Sequence, residues 1–281
     1  MNMKFSVLIA HYNNAVLFRD CYSSLLQQTY QNWEAVIVDD ASSETERDQV
    51  KAIIAGDERF RFFENEKNRG VGVTKSRLIE LATGEVCGFV DPDDAILPTA
   101  IEKAMHVFEH KKNVVLTYSR FMGCDKDLKP IAPYKSAMQV RNKDPYFFNY
   151  PIQIGHFTTF RKDVYEQTEK INPELRIAED QDLYLKMYEK GDVYFIDDTN
   201  YLYRAHSGGI SQNDNKGRSY DYFAQVVFAT MKRRNLTSIN GKKIPEKYTN
   251  HQEIFSLLEY QHGIGYRIKK KIIIALQKLF R

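Results

Sequence analysis

Cysteine is scarce in this chain and its apolar runs are short. The three cysteines, Cys21, Cys87 and Cys124, are odd in number, widely spaced and without a CxxC pair. That argues against a disulfide framework and a thiolate zinc site and fits a reducing compartment. No stretch of about 18 consecutive apolar residues occurs, so no transmembrane helix is expected. The opening run from Met1 to Ala10 meets polar His11-Tyr12-Asn13-Asn14 at once, too short for a signal peptide. A cytoplasmic location is the expectation. Net charge is only +3, too small to imply nucleic acid, and none is expected as a partner. Two phosphate-binding signatures are missing as well. No GxGxxG follows the first apolar run, which lowers the case for a dehydrogenase. Gly70-Val71-Gly72-Val73-Thr74-Lys75-Ser76 fails as a P-loop, which needs glycine where Arg69 and Thr74 stand.

What is present has the rhythm of an α/β domain. Phe5 to Ile9, Trp33 to Val38, Phe60 to Phe63, Val86 to Val90 and Val114 to Tyr118 read as strands. Helical spacing fills the gaps over Ala15 to Gln28, Glu44 to Ala55, Asn68 to Ala82 and Pro98 to Glu109. Such alternation predicts a mostly parallel sheet covered on both faces. Lys126 to Tyr150 reads as a long polar loop or flap. Phe157 to Phe160 predicts a strand, Ala178 onward a helix ended by Gly191, and Val193 to Ile196 and Asn200 to Tyr203 two short strands. A soft boundary near residue 215 separates a catalytic-type domain, 1–215, from a helical region, 216–281. The 18 Tyr and 17 Phe can line a sugar site, but more often such residues pack a core.

The most informative stretch is Asp91-Pro92-Asp93-Asp94, which follows directly on a buried-strand pattern. Ligands bind at the carboxyl ends of strands in α/β sheets. Acids this close repel one another unless a positive charge sits among them. Mg²⁺ or Mn²⁺ with a diphosphate suits such a turn, and Asp93 is the expected metal ligand. Asp94 is open between a ligand, a supporting group and the cap of the next helix, with the cap favoured. An acidic turn with no ligand is the plainer alternative for the triplet standing alone.

Further polar loops follow in order: His11-Tyr12-Asn13, Asp39-Asp40-Ala41-Ser42 and Asn68-Arg69-Gly70. Glu179-Asp180 opens a helix, and Tyr203-Arg204 with His206 closes the series. With these motifs in this order, the chain resembles the family 2 glycosyltransferases, inverting enzymes of the GT-A fold, over about residues 4 to 212. The resemblance implies nucleotide-sugar binding by residues 1–120 and an acceptor side over 121–215. It makes Asp39-Asp40 the base-binding turn, Asn68-Arg69-Gly70 through Lys75 the glycine turn and its helix, and Asp91 to Asp94 the DxD element. Asp91 would lie near the ribose or the diphosphate, Asp180 would be the base, and Glu179 would orient the loop or contact the acceptor. His206 would join Asp93 on the metal or the diphosphate.

The residue types suit that chemistry. Asp39 can accept from an imide N–H, which favours uracil or thymine; Asp40 suits a helix cap better. Tyr12 could stack on the base beside Asn13, although Ala10-His11 departs from the family pattern here. Arg69 and Lys75 could face diphosphate or base, and Arg204 could hold phosphate or simply lie exposed. Asp180 sits at the positive end of a helix dipole, which keeps it ionised, while Asp182 reads as a solvated helix residue. The implied reaction transfers a sugar from a UDP-sugar to a hydroxyl of a glycan or lipid-linked saccharide, with Mn²⁺ or Mg²⁺, in bacterial surface-polysaccharide synthesis. The alternatives are a non-catalytic sugar-nucleotide-binding or scaffold subunit, and a nucleotidyltransferase.

Residues 265–281 carry six basic residues (Arg267, Lys269, Lys270, Lys271, Lys278 and Arg281) and no acid, with apolar residues at helical spacing. A basic amphipathic helix reads as a membrane-surface anchor, peripheral on the inner face of the cytoplasmic membrane. The competing reading packs it on the domain or on a partner subunit, and a homodimer stays open.

Overall fold

A computed structural model of the chain describes residues 3–205 and 216–279. The elements run β1 (Phe5–His11), α1 (Ala15–Leu26), β2 (Trp33–Asp39), α2 (Glu44–Ile54), β3 (Phe60–Glu64), α3 (Val71–Leu81) and β4 (Val86–Phe89). There follow β5 (Ala95–Ile96), α4 (Ala100–His110), β6 (Val114–Cys124), β7 (Pro130–Pro133), β8 (Thr159–Arg161), α5 (Lys162–Tyr165), α6 (Glu179–Tyr188) and β9 (Asp192–Arg204). Past residue 215 come α7 (Lys216–Arg233), a β10 (Ser238–Ile239) and β11 (Lys242–Lys243) hairpin, α8 (His251–Ser256), a 3₁₀ turn and α9 (Ile264–Leu279).

The main sheet has the order β3-β2-β1-β4-β8-β6-β9-β5, with β7 on β6. Its first four strands are parallel. Beyond them it becomes mixed: β8 runs antiparallel between β4 and β6, and β6 pairs parallel with β9. Period-two alternation divides the central strands between two cores. Phe5, Val7 and Ile9 face α1 and α4, where Phe18, Cys21, Leu25, Ile101 and Phe108 are buried with them. Leu8, Val36, Val38 and Leu116 face α3 and α6 on the other side. The helices after residue 216 add Phe223, Val227 and Met231 to that second core. Apolar runs buried on both faces are what a parallel sheet under two helical layers requires.

Two expectations change. Val193–Ile196 and Asn200–Tyr203 are one strand, β9; register shifts on β6 around Arg120 absorb the polar Asp197-Asp198 between them. Part of the expected 126–150 loop is strand β7, which pairs with the far end of β6. The parallel register sets His11 beside Asp39 and Leu8 beside Phe89, so the loops after β1, β2 and β4 leave from one edge. Because β8 runs opposite to β4, the residues preceding it, His156 and Phe157, arrive at that same edge.

Candidate active site

The acidic turn after β4 is fixed by β9. Tyr201 Oη donates to Asp94 Oδ2 at 2.7 Å, and the Arg204 N–H donates to Asp94 Oδ1 at 2.7 Å. Arg204 spends its guanidinium inside the fold, on Asp93 O at 2.6 Å, Lys126 O at 2.5 Å and Asp20 Oδ2 at 2.6 Å. Arg204 was a candidate for phosphate, and Asp94 was open between a ligand, a supporting group and a cap. Asp94 is a buried tie between the turn and β9, which fits the supporting group, and it does not cap α4, whose N-cap is Thr99. Arg204 is buried rather than exposed or free for phosphate. Sequence could not show this, because the β5–β9 pairing that brings the turn and the strand together is long-range. Burial, then repulsion from Asp91 and Asp93, pushes the Asp94 carboxyl up to about 8. Asp91 and Asp93 remain partly exposed.

The second acidic element meets the first through a lysine. Lys75 Nζ donates to Glu179 Oε1 at 2.6 Å, and both groups are buried. Burial alone would lower the Lys75 ammonium; Glu179, Asp91 and Asp180 outweigh it and keep it protonated. Asp91 and Asp180 therefore share the field of one cation, although they come from strands and helices far apart in sequence. Asp180 accepts from the Gln181 N–H at 2.8 Å and from Gln181 Nε2 at 3.2 Å. Burial first, then Glu179, pushes its carboxyl up to about 6, against the pull of Lys75. Asp182 is not solvated: it is buried and accepts from the Asn172 N–H and Lys186 Nζ, each at 2.8 Å.

The glycine turn is shaped by its surroundings. Asp40 accepts from the Arg69 and Gly70 N–H groups, each at 2.8 Å, and from Asn65 Nδ2 at 2.7 Å. It therefore braces the start of α3 and does not cap α2, where Ser43 accepts from the Glu46 N–H. Gly70 lies at φ +85°, a region that disfavours side chains. A Cβ on Gly72 would stand 2.6 Å from Leu175 O, so glycine lets α3 press against the loop that leads to α6. Asn68 and Arg69 are exposed.

At the end of β2, Asp39 is fully buried. It meets His11 Nδ1 at 2.8 Å and accepts from Ser42 Oγ at 2.5 Å and the Ser42 N–H at 2.8 Å. Burial opposes ionisation, yet the bonds from His11 and Ser42 hold its carboxyl below the usual range. Asp39 Oδ2 takes the bonds from His11 and Ser42 Oγ, while its Oδ1 takes the single bond from the Ser42 N–H. Its effect is to fix the loop in which Asn13 bonds Ser42 and Ser43 through its N–H and Oδ1. Tyr12 projects from that loop, 51% exposed.

His156 was not singled out by the sequence. Its ring stacks on Tyr201 at 4.6 Å and Tyr203 at 5.5 Å. Burial pushes the imidazole down, Asp91 pulls it up and Lys75 pushes it down again, which puts it among the site's charges. The signal was indirect: a strand over 157–160 that runs antiparallel to β4 must bring its leading residue to the acidic turn. His206, expected on the metal, lies outside the described residues.

Among the described residues, no group of three His, Cys, Asp or Glu side chains could alone hold a metal ion. Asp91 and Asp93 still fit a shared cation. They are hard oxygen donors on one turn, and a cation between them would offset the repulsion expected of neighbouring carboxylates. Mg²⁺-type ions commonly take one or two carboxylates and complete their shell with substrate phosphate and water.

The half-parallel sheet between two helical layers, with its polar loops at one carboxyl edge, defines a GT-A-type fold. The family described as Glycosyl transferase family 2 matches residues 6–168, more than half of the chain, and the chain belongs to that family. It is 27% identical over 220 residues to TuaG of Bacillus subtilis, named as a teichuronic acid biosynthesis glycosyltransferase, covering 78% of this chain and 85% of that protein. The S. aureus TarS 1–349 structure in complex with UDP-GlcNAc superposes with a TM-score of 0.68 at 18% identity, covering 91% of this chain and 70% of that one. The mannosyltransferase PcManGT from Pyrobaculum calidifontis, in complex with GDP-Man and Mn²⁺, has a TM-score of 0.58 at 16% identity, covering 99% of this chain and 75% of that one. The two solved structures share the fold.

Proposed function

We propose that this chain moves a sugar from a UDP-sugar to a hydroxyl of a glycan or lipid-linked saccharide, with inversion, in bacterial surface-polysaccharide synthesis. The observation that carries the reading is the buried Lys75–Glu179 pair at 2.6 Å, which ties the helix of the glycine turn to the start of α6, where Asp180 follows Glu179. The surface-glycan destination draws on TuaG, and UDP-GlcNAc, bound to TarS, is the first donor to test.

In this reading the base of the nucleotide lies against Tyr12 and Asn13, with Asp39 behind them holding the loop. Asp93, with Asp91 and His206, would hold Mn²⁺ or Mg²⁺, which supplies charge neutralisation to the departing diphosphate. Asp180 takes the proton of the acceptor hydroxyl as its oxygen bonds the anomeric carbon. The bond from that carbon to the diphosphate oxygen breaks on the opposite face, so an α-linked donor gives a β-linked product. The raised Asp180 carboxyl suits a base working near neutral pH. Lys75 keeps Glu179 and Asp180 oriented and offsets the repulsion among the acids.

The test incubates the protein with UDP-, GDP- and dTDP-sugars, with Mn²⁺, with Mg²⁺ and with chelator, and follows nucleotide release. Metal-dependent release of UDP from one donor is expected. Release of another nucleotide alone, or equal turnover with chelator, would overturn the donor or the metal assignment respectively.

A further inference from the structure

The C-terminal helix faces two ways. Its inner side is tied to the body: Lys270 Nζ donates to Gln153 Oε1 at 2.6 Å, Gln277 Nε2 donates to Asn142 O at 3.3 Å, and Tyr266 packs edge-on against Tyr260. Its outer side carries Ile264 (77% exposed), Ile268 (54%), Ile272 (56%) and Leu276 (49%). These residues recur every fourth position and so form one ridge. At about 100° per residue, Arg267 and Lys271 flank the ridge on one side and Lys269 on the other, and all three are exposed. No acid occurs from residue 264 to residue 281.

We propose that this outer face of α9 docks on the surface of an anionic lipid bilayer. The ridge supplies apolar side chains to the headgroup boundary, and the flanking cations meet lipid phosphates. No helix among the described residues is long and apolar enough to cross a membrane, so the contact is with the surface. A second copy of the chain fits less well. A two-fold pairing of this face would set cations against cations with no acid to offset them. The inner side packs on the domain, as one reading of the basic tail expects; the membrane-surface reading is the proposal for the outer side.

The inner side also fixes what docking does to the site. From Lys270, hydrogen bonds pass to Gln153, from the Gln153 N–H to Asn149 Oδ1 at 2.9 Å, from Asn149 Nδ2 to Gln181 Oε1 at 2.7 Å, and from Gln181 to Asp180. The docking helix is therefore joined to the first turn of α6, which carries Asp180, the carboxylate expected to meet the acceptor. A docked molecule holds that turn in a fixed attitude to the bilayer.

The experiment is sedimentation of the full chain with phosphatidylcholine vesicles, with and without phosphatidylglycerol, across a salt series. Binding is expected only with the anionic lipid, weakening as salt rises. Lys269→Gln with Lys271→Gln should weaken partitioning roughly 30-fold, at about fivefold for each cation removed. Ile268→Glu with Ile272→Glu should abolish binding, while circular dichroism and nucleotide release stay as in the parent. No binding of the parent, or equal binding by both variants, overturns the proposal. A parent that is dimeric in solution, becomes monomeric in the isoleucine variant and ignores vesicles would make the face a contact between copies and overturn it as well.

Discussion

Lys75 and Glu179, 104 residues apart in the chain, meet at 2.6 Å where the second turn of α3 meets the first turn of α6. The pair is buried, so its two charges depend on one another. Lys75→Met should cost about 3–5 kcal/mol of unfolding free energy, because it strands a buried carboxylate. The double variant Lys75→Met with Glu179→Met should recover most of that loss. Denaturant midpoints measure both. Equal losses in single and double variants would mean the pair is not coupled.

Asp180 makes an opposite prediction for stability and for activity. Its carboxyl is raised to about 6, so between the ordinary carboxylate value and about 6 the folded state binds more protons than the unfolded chain. Stability from this group therefore falls as pH rises through that window, and the penalty is complete above it. Asp180→Asn should raise stability by about 1–2 kcal/mol near pH 8, and the gain should shrink as the carboxyl protonates. Transfer should drop by about 10²–10⁴-fold in the same variant. In the parent, kcat should fall with a single-proton slope below pH about 6.

Arg204 acts on the acidic turn from behind. Arg204→Met removes bonds to two backbone carbonyls and to Asp20, and should cost about 2–4 kcal/mol. Mn²⁺-dependent donor binding should weaken with it, since Asp93 loses its brace. Asp20→Ala should change stability by less than about 1 kcal/mol, because Asp20 is exposed. Calorimetric titration of donor with Mn²⁺ and thermal unfolding separate the two. Tight donor binding by Arg204→Met would place the support of the turn elsewhere.

Gly72 and Gly265 should respond in opposite directions to alanine. A Cβ at residue 72 runs into Leu175 O at 2.6 Å, a backbone atom that cannot swing aside. Gly72→Ala should lose about 1–3 kcal/mol. Nothing lies within 4 Å of a Cβ at residue 265, inside α9, so Gly265→Ala should be neutral or gain up to about 1 kcal/mol. Chemical unfolding of both variants gives the comparison.

Much of the architecture was legible because local patterns carried it. The apolar runs at Phe5, Trp33, Phe60 and Val86 are strands that pair in parallel, with the intervening helical spacing as helix, and the runs at Phe5 and Trp33 bury both faces. The acidic turn and the Glu179-Asp180 pair were visible as residue types after a strand and before a helix. What those side chains touch was not visible. Asp94 and Arg204 turn inward because β5 pairs with β9 across more than a hundred residues, a contact that leaves no local signature. His156 went unnoticed because the strand behind it inserts between β4 and β6, out of chain order.

The order of amino acids by itself determined the family, the parallel half of the sheet and the carboxylates at its edge, since hydrophobic periodicity and short motifs act over a few residues. Only the tertiary structure decided which charged side chains are buried within the fold and which reach its surface. That division depends on burial and on partners distant in sequence: Asp39, Asp40, Asp94 and Arg204 are buried and bonded within the fold, while Asp91 and Asp93 are partly exposed. It also decided which side of the last helix faces the domain and which faces outward, because a helix rich in isoleucine and lysine has two usable faces until something packs against one.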